Sequence, residues 1–345
     1  MTARPSLNYD KYVLKTEISP SKFNGRRHVY TAFIYNIKKP IQTIDIYNYL
    51  QKKGIKDVIV EPKYDGLYVQ VAKDEGEVHI WSDLGNNLTA NISSKIVERV
   101  KQLPCKTLVA EGELELFING KHEARGLITG LIHRRERNLS PGVHEVVTLF
   151  DCLYLNGADI SAKNTQERLN SLKTLKLPQL LTPTKVPLNM VPYWRVKNPT
   201  SLQAVAKKIC KLRHFEGIII KPTDQTAHNL KFIKFKKYIE FALSVLKRIP
   251  TRTRGVYNYD LGALTREGKL IKVARSYNTR LRLTPGDHAA VACFNVSAYM
   301  EDGKIKRVHL YAPKIQTKTT APVNSVDIIV KTAKAFGVLE MHRKL

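Results

Sequence analysis

Short β-branched and aromatic runs, broken by glycine and aspartate, dominate the hydrophobic pattern from residue 58 onward. Val58–Val60, Leu67–Ala72 and Val78–Trp81 read as strands of a meander, and Lys63 sits between the first of them and an Asp65-Gly66 turn. Thr107–Ala110 and Leu114–Ile118 predict two more strands, the second ending at Asn119-Gly120. Val146–Tyr154 predicts a strand that stops at Asn156-Gly157, a strong turn signal. Gly217–Ile220 is a short, wholly apolar strand. Helical spacing places Ile44, Tyr47 and Leu50 on one face of a helix over Ile44–Lys53, with Gly54 as its stop. Ile92–Lys101, 165–175 and 200–212 also read as helices, and the last two are separated by a stretch punctuated by Pro178, Pro183, Pro187, Pro192 and Pro199. Before residue 40 the only clear element is a strand over Val29–Tyr35.

Past Ile239 the pattern changes. Residues 242–315 read as successive strands with turns at Glu267-Gly268, Pro285-Gly286 and Asp302-Gly303, and a last helix follows near Val326–Phe336. The expected architecture is therefore α+β. A domain over 1–241, including a basic N-terminal extension to about residue 55, precedes an all-β domain over 242–345, a small barrel of the oligonucleotide-binding (OB) type.

Composition narrows the class. The 345 residues are 43% hydrophobic and 25% charged, ordinary for a globular protein. Cys105, Cys152, Cys210 and Cys293 are widely spaced, which suits a reducing compartment and offers no zinc site. No apolar run approaches the about 18 residues that span a bilayer, so a soluble intracellular protein with no membrane partner is expected. Lysine and arginine number 57 against 30 acids, a net charge of +27. The excess is densest at the two ends of the chain, and it favours a nucleic acid partner through counterion release.

Five segments carry candidate chemistry. Glu61-Pro62-Lys63-Tyr64-Asp65-Gly66 puts an amine where a strand end and a turn can hold it rigidly, and a lysine relieved of its proton there is a nucleophile. Glu111-Gly112-Glu113 presents two carboxylates on alternate positions, fit for magnesium or ribose hydroxyls. Phe150-Asp151-Cys152-Leu153-Tyr154-Leu155-Asn156-Gly157 offers an aromatic on which a purine could stack. Glu216-Gly217-Ile218-Ile219-Ile220-Lys221 has a carboxylate and a lysine at the ends of an apolar strand. In Phe232-Ile233-Lys234-Phe235-Lys236, lysines alternate with apolar residues, so one face is buried and the other aims two cations at a common point.

In this order and spacing the segments resemble the covalent nucleotidyltransferases, and most closely the ATP-dependent DNA ligases. The resemblance runs from Val58 to Lys237, and Leu283-Thr284-Pro285-Gly286-Asp287 resembles a barrel turn of these ligases. It implies an adenylation domain of antiparallel sheets with flanking helices, followed by the OB-type barrel. It further implies that Lys63 attacks the α-phosphorus of ATP, that Glu61 helps recognise adenine and that Phe150 stacks on it. Glu113 and Glu216 would contact ribose or bind Mg2+, and Lys221, Lys234 and Lys236 would hold the α-phosphate. The implied partner is nicked double-stranded DNA and the implied state a monomer.

Three positions depart from the family. Tyr68 stands where these ligases have arginine, Asp83 stands for the arginine of a Ser-Arg-x-Gly segment, and Lys306–Lys314 contains no recognisable Arg-x-Asp-Lys. A phenol or a carboxylate does not replace a guanidinium. Arg125, Arg134, Arg135, Lys306 and Lys314 are the candidate substitutes. The rival readings are an RNA ligase or an RNA-capping guanylyltransferase, which share the lysine motif, and a nucleic-acid-binding relative with weakened catalysis.

Overall fold

A computed structural model describes residues 29–36, 48, 50–52, 54–83, 85–123, 128, 132, 141–183, 186–212, 214–227, 232–302, 304–336 and 339–343. Of the expected Ile44–Lys53 helix, Asn48 and residues 50–52 are described and helical. The N-terminal residues 1–28 and Arg125, Arg134 and Arg135 lie outside the described residues. The chain divides into two compact units, residues 1–33 with 42–235, and residues 34–41 with 236–345. The division falls at Phe235/Lys236, within a strand over Phe232–Pro250. The expected strand near residue 30 is present as β1 (Val29–Asn36).

Two sheets build the first unit. In one, β2 (Val58–Lys63) lies between β10 (Trp194–Val196) and β11 (Gly217–Pro222), antiparallel to both. The other has the order β4-β3-β5-β7-β8, formed by β3 (Leu67–Asp74), β4 (Glu77–Ser82), β5 (Thr107–Ile118), β7 (Val143–Leu155) and β8 (Ala158–Asp159). β6 (Lys121–Glu123) pairs with β5, and β9 (Leu188–Met190) runs parallel to β7. The expected meander is thus corrected. β3 and β4 pair with each other, but the lysine-bearing β2 belongs to the other sheet, and Asp65-Gly66 is the crossing between sheets rather than a hairpin turn. Gly66 is what the crossing requires: a Cβ there would lie 2.3 Å from the Leu114 carbonyl oxygen.

β5 is a second correction, because it is one strand where two were expected. Gly112 does not break it. A Cβ at Gly112 would come within 2.9 Å of the Thr148 carbonyl oxygen, so the glycine admits close approach of β7 beside a register shift.

Helices over Ser94–Lys101, Thr165–Lys173 and Pro199–Cys210 flank these sheets. α1 (Ser94–Lys101) buries Ile96 and Val100, and α3 (Pro199–Cys210) starts on an Asn198 cap with proline in its first turn. α2 (Thr165–Lys173) opens with a capping box made by Asn164 and Glu167. It is tied to β7 through Arg168, whose side chain is fully buried. Arg168 donates from Nε and Nη2 to the two Asp151 oxygens, 2.8 and 3.1 Å, and from Nη1 to the Lys163 and Gln225 carbonyls, 2.7 and 3.0 Å. Every face of the guanidinium is engaged, which is the condition under which a buried ion pair holds.

Among the described residues, the second unit is all-β but for one helix. β12 (Phe232–Pro250) pairs with β13 (Tyr257–Leu264) and β15 (His288–Cys293). β13 pairs with β14 (Leu270–Thr279), and β15 with β18 (Lys314–Lys318). A three-stranded sheet joins β16 (Asn295–Glu301) antiparallel to β17 (Lys304–Tyr311) and parallel to β19 (Leu339–Arg343). Both sheets and α4 (Val326–Phe336) share one core that includes Phe241, Tyr259, Val291, Val296, Leu310 and Ile329. The helix falls where periodicity put it. β19 was not expected, since five residues after a helix carry too short an alternation to read.

Replacing Arg168 with alanine strands Asp151 and is expected to cost about 3–5 kcal/mol of unfolding free energy, read as a lower denaturation midpoint. Gly66→Ala is expected to cost about 1–3 kcal/mol, because its methyl meets backbone rather than a side chain that can turn away. A midpoint unchanged from wild type would contradict that account of the crossing.

Candidate active site

The pairing of β2 with β11 sets the centre of the site. Lys63 lies opposite Gly217, Glu61 opposite Ile219, and the Glu216 amide donates to the Lys63 carbonyl at 2.9 Å. Side chains at Lys63 and Glu216 therefore emerge side by side, and the ammonium and carboxylate form an ion pair. Lys63 Nζ also donates to the Tyr64 carbonyl, 3.3 Å. Two residues back on the same face, Glu61 meets Lys221 diagonally across the strands at 2.7 Å, both side chains at least 96% buried. The two ion pairs run in opposite directions across one strand pair, so each cation is held by the neighbouring strand's acid.

Lys221 also joins this strand pair to the second sheet. Its Nζ donates to the Phe150 carbonyl at 3.0 Å and lies 5.0 Å from the Phe150 ring centroid. Phe150 lies within β7, and it is half-buried. Glu113 is brought in by the crossing, its Oε1 accepting from the Gly66 amide at 3.1 Å. Among the residues singled out from the sequence, Lys63 thus meets Glu216, Lys221 joins Glu61 to Phe150, and Glu113 meets the Gly66 amide.

The two remaining lysines are placed differently. Ile233 and Phe235 are buried while Lys234 and Lys236 are half-buried, as the alternation predicts. Lys234 Nζ lies 5.6 Å from the Phe232 ring centroid, and Lys236, counted to the second unit, lies 5.2 Å from that of Phe294. The expected common aim of the two cations is replaced by a separate aromatic neighbour for each.

Tyr68 has a built-in role in the wall. It stands opposite Glu113 in the pairing of β3 with β5, its hydroxyl donates to Glu111 Oε1 at 2.9 Å, and its ring centroid lies 6.3 Å from that of Phe150. A neutral donor there satisfies a buried carboxylate. Asp83 lies exposed at a turn, and Lys306 and Lys314 are exposed on β17 and β18.

Acidic groups crowd the floor. Asp65 is raised to about 6, first by burial and then by the Glu216 charge and a hydrogen bond with that carboxylate, while His122 and Lys63 pull it down. Glu115, fully buried, is raised by burial and lowered by His122 and Thr148. His122 Nε2 stands 3.3 Å from Glu115 Oε1 without hydrogen-bond alignment. Burial opposes protonation of this imidazole, but Glu115 and Asp65 outweigh it, so His122 is raised. Tyr64 rises well above the ordinary phenol range, mainly by burial and then by Glu115 and Glu61. Sequence reasoning missed Glu115 and His122, although the alternation Glu111, Glu113, Glu115 signalled a third carboxylate on the same face.

Among the described residues no group of three or more His, Cys, Asp or Glu side chains could hold a metal ion. Glu113 offers a carboxylate at the Gly66 amide and Glu216 one at Lys63, and carboxylates suit an ion that takes most of its ligands from water and substrate phosphates.

The sequence profile described as ATP dependent DNA ligase domain matches residues 39–236. A DNA ligase from Aeropyrum pernix is 31% identical over 129 residues, 36% of this chain and 21% of the relative. A probable DNA ligase from Anaeromyxobacter sp. (strain Fw109-5) is 33% identical over 137 residues, 37% of this chain and 26% of that protein. The matches thus span about a quarter of these curated relatives. The solved structure titled Pmar-Lig_Pre. superposes with a TM-score of 0.56 at 16% identity, covering 80% of this chain and 66% of that one, a likeness of fold. The chain belongs to the ATP-dependent DNA ligase domain family.

Proposed function

We propose that the protein seals nicks in duplex DNA with ATP, through an adenylate carried on Lys63. The observation that carries this reading is the crossed pair of ion contacts on β2 and β11. It holds the partly exposed Lys63 amine on the same strand face as the buried Glu61–Lys221 pair, with the Phe150 ring beside Lys221. Lys63 must shed a proton before it attacks, and its ion-pair partner Glu216 is the acceptor within reach. The free amine then forms a bond to the α-phosphorus of ATP as the bond to the bridging oxygen breaks and pyrophosphate leaves. AMP next passes to the 5′-phosphate of the nick, and the adjacent 3′-hydroxyl displaces it.

The protein's own contribution is alignment and positive charge, the main needs of phosphoryl transfer. Phe150 supplies a face for adenine, Glu61 a buried acceptor beside it, and Lys221 with Lys234, both in the first unit, the cations for the α-phosphate, whereas Lys236 belongs to the second unit. Mg2+ would be held by Glu113 and Glu216 and would supply charge neutralisation at the phosphates. The second unit, as an OB-type barrel, would bind the DNA, and its surplus of lysine and arginine suits that task. Tyr68 cannot offer the bidentate phosphate contact of an arginine, so that contact falls to other cations.

Incubation with labelled ATP or GTP and Mg2+ is expected to leave label from ATP on the protein, and Lys63→Ala is expected to lower nick sealing by at least about a thousandfold with nick binding retained. Label from GTP alone would favour the capping reading, and preference for nicked RNA the RNA ligase reading. The acidic floor adds a pH signature. Asp65 binds its proton more tightly folded than unfolded, so its contribution is full below the ordinary value of 3.8 and is lost as pH rises toward 6. Denaturation midpoints of Asp65→Asn are expected to fall less than those of wild type across this window, and parallel slopes would contradict the assignment.

A further inference from the structure

The second unit carries a row of planar side chains that nothing in the ligation reading uses. β16 and β17 pair so that Asn295 faces Tyr311, Ser297 faces His309 and Tyr299 faces Arg307. The intervening residues Val296, Ala298, Val308 and Leu310 are all at least 99% buried in the core. Alternation therefore turns Tyr299, Arg307, His309 and Tyr311 onto the opposite face of the hairpin. That face is open, with Tyr311 65% and Tyr299 43% exposed.

Exposed tyrosines on a strand flank are not rare, but this arrangement is ordered. The Arg307 guanidinium lies over the Tyr299 ring, 6.0 Å from its centroid. Along β17, Arg307, His309 and Tyr311 recur every second residue, about 6.8 Å apart, so three flat groups stand in line over about 14 Å. His309 is held below the ordinary imidazole range by partial burial first and then by Arg307 and Lys272, which keeps it a neutral flat ring near pH 7. Bases in a duplex hide their faces in the stack, whereas unpaired bases present them, and aromatic or guanidinium planes on an open sheet are what they stack upon. The net charge of +27, with Lys306 exposed beside Arg307, complements a phosphodiester backbone.

We propose that the outer face of the β16–β17 hairpin is a stacking platform for unpaired DNA, with Tyr311, His309 and the Arg307–Tyr299 pair each taking about one base of a single strand. The platform goes beyond nick sealing and is independent of Lys63. Its test reads binding alone, so it can fail while ligation stands, and the reverse.

A short fluorescein-labelled oligothymidylate titrated with the full chain is expected to bind in an anisotropy assay. Tyr311→Ala should weaken it about fivefold or more, and Tyr299→Ala with Tyr311→Ala at least about tenfold. Tyr311→Phe, which keeps the ring, should stay within about twofold of wild type. Affinity for a fully paired nicked duplex should change little in all three. An iodouracil-substituted strand should crosslink to Tyr299 or Tyr311 in wild type. Unchanged oligothymidylate affinity in the alanine variants, an equal loss in the phenylalanine variant, or crosslinks confined to other peptides would overturn the proposal. So would a wild-type dimer in sedimentation that the alanine variants convert to monomer without loss of oligonucleotide affinity, since the face would then be an interface between copies.

Discussion

The site depends on the register between two short strands. If β2 and β11 slipped by one residue, every side chain would change face, and Glu61 and Lys63 would turn away from Lys221 and Glu216. What fixes the register is burial on both sides. Val58, Ile59, Val60, Ile218 and Ile220 are all nearly or completely excluded from water, so the wrong register would part the buried Glu61 and Lys221 from each other as well as the half-buried Lys63 and Glu216. Removing one member of such a buried pair strands the other at a cost that exceeds what the pair itself contributes. The ion pairs therefore specify the geometry more than they stabilise it, and the apolar residues between them supply the stability.

A second constraint is the crossing at Asp65-Gly66. Here the chain leaves one sheet for the other within three residues, Tyr64 to Gly66, and only a residue without a Cβ fits against the Leu114 carbonyl. The same glycine lends its amide to Glu113, so the crossing aligns a carboxylate of the second sheet with the amine at the end of the first. Asp65 is half-buried on the way and shares hydrogen bonding with Glu216. Packing and chemistry meet at this step, which is why a short string of residues can carry so much of the family's identity.

Much of this was legible in the chain. The strands around Val58, Leu67, Val146 and Gly217 and the helices over 165–175, 200–212 and 326–336 announced themselves through period and turn residues. Which strand joins which sheet was not legible, because Asp-Gly after a strand reads equally as a hairpin and as a crossing, and the deciding contact comes from Leu114, far along the sequence. Glu115 and His122 escaped for the same reason: a glutamate at an alternate strand position looks solvated until distant side chains, here His122, Thr148 and Tyr64, close on it. Tyr68 was recognised as a departure from the family but not as a partner of Glu111 and neighbour of Phe150, a relation that only the pairing of β3 with β5 creates. Lys234 and Lys236 alternate as expected, yet the rings beneath them differ, and strand period alone says nothing of what lies above a side chain.

Peptide mapping by tandem mass spectrometry after incubation with ATP and Mg2+ is the most direct test of the central claim, that the β2–β11 register makes Lys63 the reactive amine. The account predicts one AMP on the peptide containing residues 61–66, with the phosphoramidate on Lys63. An adduct on Lys221, Lys234 or another lysine, or none on a folded protein, would contradict it.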